Sequence, residues 1–203
     1  MSAGYIACGL MLAAAYARVE NWYLMWQSLG TIAALGAIFG VLRLLRIRPV
    51  YSLYALIIAF TFAAYTLGVA CEMYKRTMWY DKLLHTLSGT LTMMLALPLF
   101  YTVKHNHRVE REDCVLAVVF CLMSALAVAG VWEIAEYALS LVTGIDPQCV
   151  KATGVSDTMI DMIVCTMGAL AAVPSLLAYY RGQRGGWLYE SLEVFLQRNL
   201  TTE

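Results

Sequence analysis

Apolar residues fall into six long runs separated by short polar breaks, at roughly 3–18, 28–45, 50–72, 83–103, 114–138 and 157–180. A helix needs about 20 residues to cross a bilayer, within a range of about 17–25. The first two runs are short against that requirement. The pattern predicts an all-α fold: a polytopic membrane helix bundle of about six transmembrane helices. After Tyr180 comes RGQRGG, a turn by its glycines, and then WLYESLEVFLQR. Leu188, Leu192, Phe195 and Leu196 share one helical face there, which predicts a C-terminal amphipathic interfacial helix. Trp22, Tyr23 and Trp26 suit an interfacial belt between the first two runs.

The chain reads as a single integral membrane domain over 1–203. Its first part, 1–78, says little beyond hydropathy. Residues 79–180 form a three-helix unit that carries unusual polar groups, and 181–203 make the surface helix and tail. The first apolar run does not read as a secretory signal, because no Lys or Arg precedes it and Arg18 follows it.

The polar residues that interrupt the later runs come in pairs. Asp81 and His85 open the fourth run one helical turn apart and so share a face. The fifth run, VLAVVFCLMSALAVAGVW, ends in Glu133 and Glu136. The sixth begins SDTMIDMIVCTMG, with Asp157 and Asp161 in its first two turns. If consecutive runs cross in opposite directions, all three pairs lie at one membrane depth, whichever side that is. Helix-start capping and dipole effects account for Asp81 and Asp157 taken singly, and Glu136 can snorkel to water. Capping and dipole effects cover neither His85 nor Asp161, and they fail for Glu133 and Glu136, late in a helix where the dipole disfavours acids. An ionisable group near a helix centre in a bilayer costs on the order of 2.5–3.5 kcal/mol, less near the interface, and such groups usually mark function.

Composition settles the solvent. The chain is 61% hydrophobic and 14% charged over 203 residues, against about 25% charged in a soluble domain. A formal net charge of zero argues against nucleic acid as a partner, which requires a basic footprint. With six spans, nine of the 14 Lys and Arg residues lie on the side of the N-terminus. The positive-inside rule then puts both termini in the cytoplasm, in a multi-pass protein of the cell inner (cytoplasmic) membrane. Arg18 alone points the other way.

Five carboxylates and an imidazole repel one another unless something positive joins them. Lys82 points about 100° away from Asp81 around a helix, which makes it a weak candidate for neutralising the whole set. A divalent metal ion is the economical alternative. Oxygen-rich ligands with one histidine suit Mg²⁺, Mn²⁺ or Ca²⁺ and also accommodate Zn²⁺ or iron. Inward ligand pairs on facing helices are how carboxylate metal sites in bundles are built, although the E-x-x-H of the di-iron bundles is absent. The candidate metal ligands are Asp81, His85, Glu133, Glu136, Asp157 and Asp161; Asp81, His85, Glu133 and Asp161 are the candidate catalytic groups. Protonation of some carboxylates is the other solution.

The order D-K-x-x-H (Asp81, Lys82, His85), W-E-x-x-E (Trp132, Glu133, Glu136) and D-x-x-x-D-x-x-x-C-x-x-G-A (from Asp157 through Asp161, Cys165 and Gly168) resembles the uncharacterised YjdF-type inner-membrane proteins. More distantly it resembles the VanZ-like family associated with teicoplanin resistance. The likeness covers Trp79 to about Ala172. Glu136 stands where the VanZ-like pattern has glutamine and Cys165 where it has asparagine, which moves the chain toward the YjdF-type version. The resemblance implies a polytopic helical bundle and names no reaction.

Other motifs are mostly negative. The six cysteines form no C-x-x-C pair, and a Cys71–Cys149 disulfide is not expected. Cys165 reads as a small packing residue and Ser88 as a helix-packing residue without a base. His105 and His107 in KHNHRVEREDC read as a solvated loop. Three functions follow: a metal-dependent hydrolase of a lipid or polyprenyl-phosphate intermediate of the envelope; a proton- or cation-coupled transporter or lipid translocase; and a non-catalytic lipid-binding resistance factor. Membrane lipids are the expected partners in each.

Overall fold

A computed structural model describes residues 1–104, 110–182 and 186–199, apart from the side chain of Met78. The described residues form helices and no strand. The long ones are α1 (Ser2–Arg18), α2 (Trp22–Leu44), α3 (Tyr51–Thr61, continued by a π-helical stretch Phe62–Ala70), α5 (Met78–Val103), α6 (Cys114–Thr143), α8 (Ser156–Tyr180) and α9 (Trp187–Asn199). Single turns α4 (Met73–Arg76) and α7 (Val150–Thr153) lie between them. The chain divides into two compact units, Met1–Tyr80 with Glu193–Glu203, and Asp81–Leu192.

Among the described residues, five helices are long and apolar enough to cross a membrane: Trp22–Leu44, Tyr51–Ala70, Trp79–Val103, Arg111–Thr143 and Ser156–Tyr180. These five, with α1 beside them, give the all-helical polytopic bundle that the apolar runs predict. With 17 residues, α1 rises about 26 Å at 1.5 Å per residue, short of a hydrocarbon core of about 30 Å.

In the first unit, Asn21 caps α2 by accepting the Leu24 N–H at 3.1 Å, an ordinary N-cap exchange for an otherwise orphaned donor. Tyr5 of α1 donates to the Thr31 carbonyl of α2 at 3.1 Å. Its ring packs in a small core with Leu35, Ile58, Phe39 and Phe62. Two tyrosines supply hydrogen bonds to the π-helical stretch, Tyr80 to the Ala63 carbonyl at 2.7 Å and Tyr16 to that of Ala70 at 2.8 Å.

The second unit is organised by a close crossing of α5 and α8. A Cβ on Gly89 would collide with the main-chain carbonyl of Cys165, and one on Gly168 with that of Thr86. The two backbones therefore meet where each helix lacks a side chain, the way membrane helices gain packing without a hydrophobic driving force. Thr90 fastens the crossing by donating to the Gly168 carbonyl at 2.8 Å. On the other side of α8, α6 presents a buried stripe of small residues at four-residue steps, Ala117, Cys121, Ala125 and Ala129, ending in Glu133. Cys165 Sγ lies 3.9 Å from the Ala125 carbonyl oxygen, so Cys165 fills the α6–α8 seam as a packing residue.

The start of α9 is held by protein. Tyr189 stacks on Tyr179 with ring centroids 4.8 Å apart, and Tyr189 and Leu192 are buried. Leu192, expected on a lipid-facing stripe, thus packs inward. His105 and His107, and the Gln183–Gly185 part of the expected turn, lie outside the described residues.

The crossing predicts a graded response. Gly168→Ala forces the α5 and α8 backbones apart and lowers stability by about 1–3 kcal/mol, the usual cost of overpacking. Gly36→Ala, with open space around its Cβ position, leaves stability within about 0.5 kcal/mol. Unfolding of both variants in detergent micelles checks the difference.

Candidate functional site

The crossing fixes what lies one to two turns away along each helix. From Gly89, one turn back along α5 reaches His85 and a second reaches Asp81. From Gly168, seven residues back along α8 reach Asp161 and four more Asp157. Among the described residues, Asp81, His85 and Asp161 each offer a ligand atom, and these atoms all lie within 4.8 Å of one another. His85 Nε2 is 3.6 Å from Asp81 Oδ1 and 3.9 Å from Asp161 Oδ1.

Lys82 sits at the centre of the acids. Its Nζ lies 2.6 Å from Asp157 Oδ1, 2.7 Å from Asp161 Oδ1 and 3.0 Å from Asp81 Oδ2. This corrects the expectation that Lys82 points too far round the helix to neutralise the set. A lysine side chain has four methylenes and can bend its ammonium back across a helix face, so the Cβ direction does not limit where the charge goes. The ammonium is well screened from solvent, with 14% of the side chain exposed, and Asp161 is deeper still at 3%. Asp161 Oδ1 is buried and accepts no well-aligned hydrogen bond; it meets Lys82 as an ion-pair contact.

Asp157 does not cap α8. The N-cap position is Val155, with no side-chain cap hydrogen bond, and the Asp157 carboxylate is spent on Lys82. It stands outside the Asp81–His85–Asp161 group and shares the Lys82 ammonium with it.

The glutamates of α6 part company. Glu133 is buried, at 5% exposed, where the small-residue stripe ends. Gln148, from the connection after α6 and itself buried, donates its Nε2 to both Glu133 Oε2 and the Glu133 carbonyl at 3.0 Å. Glu133 Oε1 is buried with no hydrogen-bond partner among the described residues. Glu136, a turn on, accepts from the Trp132 indole at 2.9 Å. Neither glutamate is in the three-residue ligand group.

Sequence reading missed Gln148, which belongs to a segment without periodicity. Its connection is ordered by Asp146, whose carboxylate accepts the main-chain N–H groups of Val150 at 2.9 Å and Lys151 at 3.0 Å. These bonds, that from Lys151 foremost, hold the Asp146 carboxyl below its ordinary 3.8. Depression means that the contribution is present above the ordinary value and is lost as pH falls through the lowered one.

The polar end of the unit has an aromatic rim. Trp132 and Tyr137 are exposed, which suits the membrane–water interface. Helix α6, with 30 residues, is about 45 Å long and outruns the hydrocarbon core. Ser88 donates to the His85 carbonyl at 2.8 Å and is paired with no base; all six cysteines are free.

Fold and site together define a multi-pass α-helical membrane protein with an acid–lysine–histidine cluster buried at one end of its second unit. The chain belongs to the family described as "Predicted membrane protein (DUF2238)", whose match runs over residues 2–182 and so takes in both units. No curated protein and no solved structure matches it.

Two outcomes are expected. Gln148→Leu strands the Glu133 carboxylate and lowers stability by about 1–3 kcal/mol, whereas Trp132→Phe, at an exposed partner, changes it by about 0.5 kcal/mol or less. By hydrogen exchange, the Val150 and Lys151 amides are protected at neutral pH and lose protection in strong acid; Asp146→Ala removes it at neutral pH.

Proposed function

We propose that Asp81, His85 and Asp161 form a divalent-metal site, and that the chain acts in the inner (cytoplasmic) membrane on a phosphate-bearing lipid. The observation that carries this reading is the approach of three ligand atoms from two helices to within 4.8 Å. Metals that take carboxylate and imidazole bind them at about 2.0–2.2 Å, so ligand atoms around one ion lie up to about 4.4 Å apart. The group needs only a small closure to reach that spacing. Asp161 Oδ1 is buried and already draws one cation, the Lys82 ammonium at 2.7 Å, so it is an oxygen that binds positive charge.

The ion would be Mg²⁺, Mn²⁺, Zn²⁺ or iron, held by two carboxylates and one imidazole, and it supplies polarisation of a phosphoryl oxygen or activation of water. The chain's own groups do the rest. Lys82 offers positive charge to a phosphate, Asp157 restrains Lys82, and Glu133, held by Gln148, stands near the same rim. Lipid or polyprenyl-phosphate headgroups lie at this depth, which makes a hydrolase of such an intermediate the leading assignment. The motif order around these residues supports placing the chain with the YjdF-type members of its family.

One observation favours a second reading. Lys82 itself compensates three carboxylates, as expected for a proton- or cation-coupled carrier in which the acids and His85 exchange a bound cation.

Elemental analysis of detergent-purified protein separates the two. The metal reading expects close to one equivalent of metal, lost in His85→Ala and Asp161→Asn while both variants remain folded. Metal-free wild-type protein that stays folded, with transport abolished by Asp161→Asn, selects the carrier.

A further inference from the structure

Resting on the metal-site reading, we infer that Lys82 is a built-in competitor for the cation, so that the site alternates between a lysine-filled and a metal-filled state. The ammonium contacts one oxygen of each of two metal-ligand carboxylates, Asp81 and Asp161, at 3.0 and 2.7 Å. A metal bound to Asp161 Oδ1 at about 2.2 Å would stand at most about 5 Å from Nζ, since both share that oxygen. At that separation, in a site largely closed to water, the two cations repel strongly. They also draw on the same few carboxylate oxygens. Metal entry therefore displaces Lys82 toward Asp157, which belongs to no ligand group and already holds the ammonium at 2.6 Å. Asp157 is then the parking place, and its position one turn before Asp161 on α8 gives the lysine a short path off the ligands.

The displaced ammonium has a consequence for substrate. While it bridges three carboxylates it presents little charge to an anion; moved off Asp81 and Asp161, it is released to meet a phosphate beside the metal. Metal occupancy and anion binding are thereby coupled through a single side chain, and by linkage each must favour the other.

Mn²⁺ alone is the probe, followed by electron paramagnetic resonance on detergent-purified full-length protein. Lys82→Gln is expected to bind Mn²⁺ at least about 10-fold more tightly than wild type, with binding abolished when Asp161→Asn is added. Because Lys82→Gln leaves three acids uncompensated without metal, a second measurement uses the wild-type chain. Acetylation of lysines by an N-hydroxysuccinimide ester, read by peptide mass spectrometry, is expected to accelerate at Lys82 on addition of Mn²⁺. Lys75, an exposed lysine at 68%, serves as the internal standard and keeps its rate. Mn²⁺ binding that is equal or weaker in Lys82→Gln, or unchanged Lys82 reactivity while wild type binds Mn²⁺, overturns the competition and leaves the metal site standing. Failure of both wild type and Lys82→Gln to bind Mn²⁺ overturns the metal site and the competition with it.

Discussion

A carboxylate carried out of water needs a partner of opposite charge, and the second unit of this protein is arranged around that requirement. Three aspartates from two helices meet one ammonium, that of Lys82. Removing one partner from a buried ion pair is costly because it leaves an uncompensated charge. The register of α5 against α8 is thus constrained twice. The Gly89 and Gly168 contact sets how closely the helices approach, and the ionic cluster sets how far each is advanced along the other. A slip of a single residue would rotate Asp161 away from Lys82 and drive a side chain into the glycine contact.

The third helix joins this arrangement differently. Small side chains on α6 let it lie against α8 for four turns, and the stripe then ends in an acid. Glu133 is stabilised from the connection that follows α6, through Gln148, and its second oxygen remains without a hydrogen-bond partner among the described residues. A buried polar group only partly satisfied is expensive to keep and is usually explained by function or by an unseen partner. Glu136, half-buried, is held instead by the Trp132 indole.

Much of this was legible in the chain. Hydropathic length marked out six helices, of which five are long and apolar enough to cross a membrane, and the first, α1, is the short one the pattern flagged. Four-residue spacing put Asp81 with His85 and Asp157 with Asp161 on common faces, and the structure joins members of both pairs. The sequence paired Glu133 with Glu136, and the structure separates them: Glu133 alone continues the buried Ala117–Cys121–Ala125–Ala129 series. What a helical wheel cannot convey is reach. It treats a side chain as a radial spoke, whereas the ammonium of Lys82 lies at the end of a flexible stem and crosses to the acids. Gln148 was hidden for another reason: in a connection held by Asp146 and short turns, no periodicity says which side chain points inward.

The central claim is that Lys82 and Asp161 are energetically one unit inside the second unit of the protein. A double-mutant cycle with Lys82→Met and Asp161→Asn, read by reversible unfolding in detergent, measures this directly. The structure predicts that the two substitutions together cost less than the sum of the single ones, with a coupling above about 1 kcal/mol. Additivity within about 0.3–0.5 kcal/mol would mean that the two charges do not sense each other, and the shared site would not exist.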